Sequence, residues 1–95
     1  MSEMHPEWSI QIISRGRSGN LVYRESENAL VCYWEFAGGD SLAFVSLPDA
    51  VPDWALGRLP TIMQNIADDL IRTQAPNHIA VIDEADRSIT LKRPR

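Results

Sequence analysis

Few side chains in this sequence are of the types that do chemistry, and their spacing decides what each could do. His78 is followed by Asp83, Glu84 and Asp86. An imidazole held by a carboxylate is a common general base, but the pair must lie within hydrogen-bond reach, which this spacing does not establish. The expectation is a satisfied or solvent-facing histidine. The run Asp83-Glu84-Ala85-Asp86 spells a helicase motif, yet such enzymes also need a phosphate loop and a far longer nucleotide domain. As a cation site the run falls short, because Ca²⁺ takes about six to eight oxygens at set positions around a loop glycine. His5 and His78 have no Cys or His partners at ligand spacing, so no metal and no cofactor is expected. Cys32 sits within an apolar run and reads as a buried, reduced thiol rather than a nucleophile, which needs an electropositive, partly open setting. Neither RGRSGN (15–20) nor AGGDS (37–41) ends in the Gly-Lys-Ser/Thr of a phosphate loop, and no serine stands in a Gly-x-Ser-x-Gly elbow. No catalytic residue is expected, and the sequence leans away from an enzyme.

The bulk properties set the frame. Ninety-five residues with 44% hydrophobic and 23% charged content suit one small domain spanning 1–95, with residues 1–6 frayed. The start, MSEMHPEWSI, carries acids where a secretion leader needs positive charge, and no run of about 18 apolar residues follows. A cytoplasmic chain without a membrane segment is expected. The net charge is −4, and six acids (Glu25, Glu27, Glu35, Asp40, Asp49, Asp53) lie between Arg24 and Arg58 with no Lys or Arg among them. That distribution repels phosphate backbones and disfavours nucleic acid as a partner.

The hydrophobic pattern predicts six strands and one helix. WSIQIIS (8–14) and LVYRE (21–25) alternate as strands, with RGRSGN as the turn or mobile loop between them. Ser26, Glu27 and Asn28 form the next turn, with Asn28 able to take the left-handed conformation at modest cost. Strands over 29–37 and 40–47 then meet at Gly38-Gly39, a pair suited to a two-residue hairpin turn. A two-residue or four-residue loop there would pair Phe36 with Ser41, Trp34 with Ala43, Cys32 with Val45 and Leu30 with Leu47. Leu59, Ile62, Met63, Ile66, Ala67, Leu70 and Ile71 form a helical stripe, with Pro60 at its start and Pro76 beyond its end. A last hairpin, HIAVID and SITLK, sets Ile82 against Ile89 and Ala80 against Leu91 if Ala85 and Asp86 turn it. The order β-β-β-β-α-β-β predicts an α+β domain of two layers: a mostly antiparallel sheet of five to six strands, and an amphipathic helix (about 59–75) on one face.

One helix covers one face of a sheet. Its natural target is the side of Trp8, Ile10, Ile12, Leu21, Tyr23, Leu30, Cys32, Trp34, Phe36, Ala43, Val45 and Leu47. The other side is then left with Ile13, Val22, Arg24, Val31, Tyr33, Glu35, Leu42 and Phe44. Aromatic and branched side chains mixed with an arginine resemble interface surfaces, and a contiguous apolar patch of that kind seldom stays bare. The chain is therefore expected to be a small binding module that uses this face, most simply as a homodimer or against another protein. Alternatives are an adaptor or antidote whose acidic 25–57 region meets a basic protein, a base-stacking platform on Tyr33 and Phe44, and a small enzyme or ligand carrier with a pocket near Trp54 and His78. In a further alternative the 48–58 segment folds over the second face and Trp54 fills it.

Overall fold

The computed structural model describes residues 8–37 and 41–94. Four strands come first: β1 (Trp8–Arg15), β2 (Ser18–Glu25), β3 (Asn28–Phe36) and β4 (Ser41–Ser46). The helices α1 (Asp53–Leu56) and α2 (Leu59–Thr73) follow, and β5 (Ile79–Asp83) and β6 (Ser88–Lys92) close the chain. All pairings are antiparallel and the strands lie in the order β1-β2-β3-β4-β6-β5. The class is α+β, with one main helix packed on a six-stranded sheet.

The helix forms where its stripe predicts. Ile62, Met63 and Ile66 are wholly buried, and Ala67 and Leu70 nearly so. Pro60 stands in the first turn, where a missing N–H costs nothing. A helix of fifteen residues is marginal alone in water, so the sheet holds it by burying this stripe. The last hairpin pairs Ile82 with Ile89 and Ala80 with Leu91, as its alternation predicts.

Three turns depart from the local reading. RGRSGN is not a loop: β2 begins at Ser18, and the turn is Gly16-Arg17 alone, with Gly16 at φ +81°. Glycine reaches that conformation without steric cost at the first central position of a tight hairpin. In the next turn Ser26 rather than Asn28 is left-handed, at φ 56°, because Asn28 already pairs with Glu25 as the first residue of β3. The Gly38-Gly39 turn lies outside the described residues, but the strands around it are offset by two from the expected register. Trp34 pairs with Val45 and Phe36 with Ala43, and the Ala37 N–H donates to the Leu42 carbonyl at 3.0 Å. A two-residue slip keeps every side chain on its expected face, which is why the core survives the change.

Gly19 is needed for a different reason. It lies between Ser14 and Trp34, and a Cβ there would come 2.0 Å from the Ile13 carbonyl oxygen and 3.1 Å from the Trp34 Nε1. The bare backbone lets β1 close over β2 and lets the Trp34 indole N–H reach the Ile13 carbonyl, at 3.4 Å.

Candidate interaction surface

The outer face of the sheet is built by alternation. Successive strands bring Ile13, Asn20, Tyr33, Ser46, Ser88 and Asp83 into one row, and Arg15, Ser18, Glu35, Phe44, Thr90 and Val81 into the next. Tyr33 and Phe44 are thus diagonal neighbours at the centre of the sheet. Gln11, Val22 and Val31 form a third row, and Arg24 lies beyond it between Ser9 and Ala29. Of the eight side chains expected on this face, seven lie there. Val31 is 52% exposed and Tyr33 45%, while Phe44 is half-buried. Val22 is only 7% exposed yet does not belong to the core cluster, so its outer-face neighbours cover it. The polar members are tied down locally. An Arg24 Nη donates to Gln11 at 3.0 Å, and the Tyr33 hydroxyl donates to Glu35 at 2.7 Å, which pushes the Tyr33 hydroxyl pKa up.

Leu42 is the exception. A bulge between Ser41 and Ala43 breaks the alternation where β4 meets β6, and Leu42 packs with the core side beside Ala43. The extra residue turns two consecutive side chains toward the same region, which no two-residue period anticipates. Conversely, Ile79 and Val81 are about half exposed, and Val81 sits two strands from Phe44 on the outer face. Their alternation with Ala80 and Ile82 was the available signal.

The 48–58 segment does not cover this face. Val51 and Trp54 pack against the core cluster on the helix side, and Ala55 is wholly buried there. On the outer face Ile13, Val31 and Tyr33 remain exposed. A groove of about 410 Å³ lies on the helix side, among Ile12, Trp34, Phe36, Leu42, Ala43 and Leu70, and neither Trp54 nor His78 lines it. There Ile12 (38% exposed) and Phe36 (47%), both expected under the helix, remain open.

The helix is pinned at the other corner by a polar network. Tyr23 has no exposed surface, and its ring stacks at 6.0 Å on Trp8. Its hydroxyl donates to Glu25 at 2.7 Å and accepts from Asn65 Nδ2 at 3.0 Å, and Arg58 meets Glu25 at 2.8 Å. Burial, assisted by the Glu25 carboxylate, pushes the Tyr23 hydroxyl up to about 12. Burial also raises the Glu25 carboxyl, but the Tyr23 and Arg58 contacts outweigh it and hold the group below its ordinary value. Of the acids between Arg24 and Arg58, Glu25 is bound inward, and Glu35 accepts from Tyr33 on the outer face.

The remaining chemical candidates stay apart. Cys32 is buried, and burial raises its thiol to about 12, far from a reactive thiolate. Asp83 accepts the backbone N–H of Asp86 at 3.0 Å, bracing the tip of the last hairpin rather than pairing with His78. The His78 Nδ1 is buried without a hydrogen-bond partner. Among the described residues no group of three or more His, Cys, Asp or Glu side chains could hold a metal ion. No described helix is long and apolar enough to cross a membrane. Comparison of the chain with protein-family models, with curated proteins and with solved structures returned no match.

Proposed function

We propose that this chain is a protein-binding module that pairs with a second copy of itself through the outer face of its sheet. The observation that carries the reading is the exposure of Ile13, Val31, Tyr33 and Val81 beside the partly buried Phe44, on the face opposite the helix. Six strands about 4.8 Å apart and about 20 Å long offer a face on the order of 500 Å². Two such faces packed on each other bury about 1,000 Å², the lower limit for a specific interface. A dimer of modest affinity follows, in the micromolar range rather than the nanomolar one. The charges favour a copy of the same surface over a strongly basic or acidic partner. Arg15, Arg24 and Lys92 share the face with Glu35 and Asp83, so a two-fold arrangement can set cation against anion.

Sedimentation equilibrium over a hundredfold range of concentration tests the reading. The expected result is a monomer–dimer equilibrium that Val31→Glu abolishes while leaving the far-UV circular dichroism unchanged. Val31 is exposed, so a charge there harms only an interface. A monomer at every concentration refutes the proposal, as does a dimer that Val31→Glu leaves intact.

A further inference from the structure

We propose that β1 is a docking edge for a second copy of this chain, whose own β1 pairs with it antiparallel about a two-fold axis at Gln11. The strand order places β1 and β5 at the two edges of the sheet. β1 is the longer, with eight residues in unbroken register on β2. The hairpin fixes which way its backbone groups point. A two-residue turn at Gly16-Arg17 closes on a hydrogen-bonded Arg15–Ser18 pair, and bonded pairs alternate with non-bonded ones from there. The Phe36 N–H donates to the Arg17 carbonyl at 2.8 Å, which sets the same phase: odd-numbered residues of β2 bond toward β3 and even-numbered ones toward β1. Ser9, Gln11, Ile13 and Arg15 therefore bond to β2. Trp8, Ile10, Ile12 and Ser14 aim their N–H and C=O groups out of the sheet edge.

Edge strands are usually guarded against a further strand by proline, lysine, a bulge or an inward charge. From Trp8 to Ser14 there is no proline and no charged residue, and the register carries no bulge. Such an edge fits an extended, uncharged strand, and β1 is one. With Gln11 opposite Gln11 of the second copy, Ile10 meets Ile12, Ser9 meets Ile13 and Trp8 meets Ser14. All four outward residues then find partners, with about eight backbone hydrogen bonds in all. No other antiparallel register that keeps each face continuous pairs all four. The same register sets Ile10 of the second copy beside Ile12, which is 38% exposed, and leaves the two Arg15 side chains at opposite ends of the ladder.

Amide hydrogen exchange, read residue by residue by NMR on the intact chain over about a hundredfold range of concentration, is the test. The Ile10 and Ile12 amides are expected to slow about fourfold from the lowest concentration to the highest, the fall in monomer fraction when the dissociation constant lies midway in the range. The Ser9, Gln11 and Ile13 amides, already bonded to β2, are expected to keep their rates. Gln11→Lys, at an exposed position, sets two ammonium groups opposite each other at the axis. It is expected to weaken the pairing up to about fivefold in a chain whose circular dichroism is native, and an equimolar mixture with Gln11→Glu to regain it. Pairing through the outer face leaves these in-plane amides as they are, so the two readings fail separately. The proposal is overturned if Ile10 and Ile12 exchange fast at every concentration, or if they are protected in a chain that sediments as a monomer, which means the chain covers its own edge. Slowing of all β1 amides together, Gln11→Lys pairing as wild type does, or a mixture that regains nothing overturns it as well.

Discussion

Replacing Tyr23 with phenylalanine removes one oxygen from the centre of the network that fastens the helix to the sheet. The ring is wholly buried and its stacking on Trp8 is kept, so the change isolates the hydroxyl. Asn65 loses its acceptor and Glu25 loses a donor, although Arg58 still holds Glu25. Leaving such groups short of a partner costs about 1–3 kcal/mol at neutral pH. That is a large share of the roughly 5–15 kcal/mol that holds a small domain together. The hydroxyl also imposes a pH dependence whose sign is set by its raised pKa. Tyrosine ionises near 10 when unfolded and near 12 here, so its contribution is complete below about pH 10 and is lost as pH rises through 12. A shift of that size corresponds to about 2–3 kcal/mol. Urea unfolding of wild type and Tyr23→Phe at pH 7, 10 and 11.5 should therefore show a difference of about 1–3 kcal/mol that narrows between the last two. Cys32 and Tyr33 ionise in both proteins and cancel in the difference. A gap below about 0.5 kcal/mol at pH 7, less than a typical net hydrogen bond, would refute the network. A gap that stays constant to pH 11.5 would refute the role of the hydroxyl's ionisation.

Two glycines give opposite expectations. Gly19→Ala drives a methyl group into the Ile13 carbonyl and should cost about 3 kcal/mol or more, read as a lowered urea midpoint. Gly57→Ala meets nothing within 4 Å at φ −82° and should raise stability by about 0.4–1 kcal/mol. Cys32 should resist a thiol-specific disulfide reagent at pH 8 in the native protein and react fully in denaturant, since its thiol is buried and raised to about 12. Reaction of the native protein at the rate of a free thiol would contradict that burial.

How much of the candidate surface was legible depended on the range of the information. Seven of its side chains follow from counting by two along β1 to β4, and counting survived even the two-residue offset between β3 and β4. Leu42 escaped because a bulge is set by how β4 fits β6, a strand 46 residues further along the chain. Ile79 and Val81 were readable by the same alternation as Ala80 and Ile82, but placing them beside Phe44 required knowing that β6 lies between β4 and β5. The polar network could not be read at all, since Tyr23 and Asn65 are separated by 42 positions and nothing in their spacing links them.

The amino-acid sequence by itself determined the elements and their faces: the helical stripe from Leu59 to Ile71, the alternation in each strand, the last hairpin's register, and the α+β class. These are local quantities, carried by periods of 3.6 and 2. Tertiary structure alone decided the strand order, the bulge at Leu42, the side on which Trp54 rests, and the burial of Tyr23 while Phe36 stays open. Those outcomes depend on how distant surfaces fit together, and the free energy that chooses among them comes from packing and from satisfying buried polar groups, neither of which has a period along the chain.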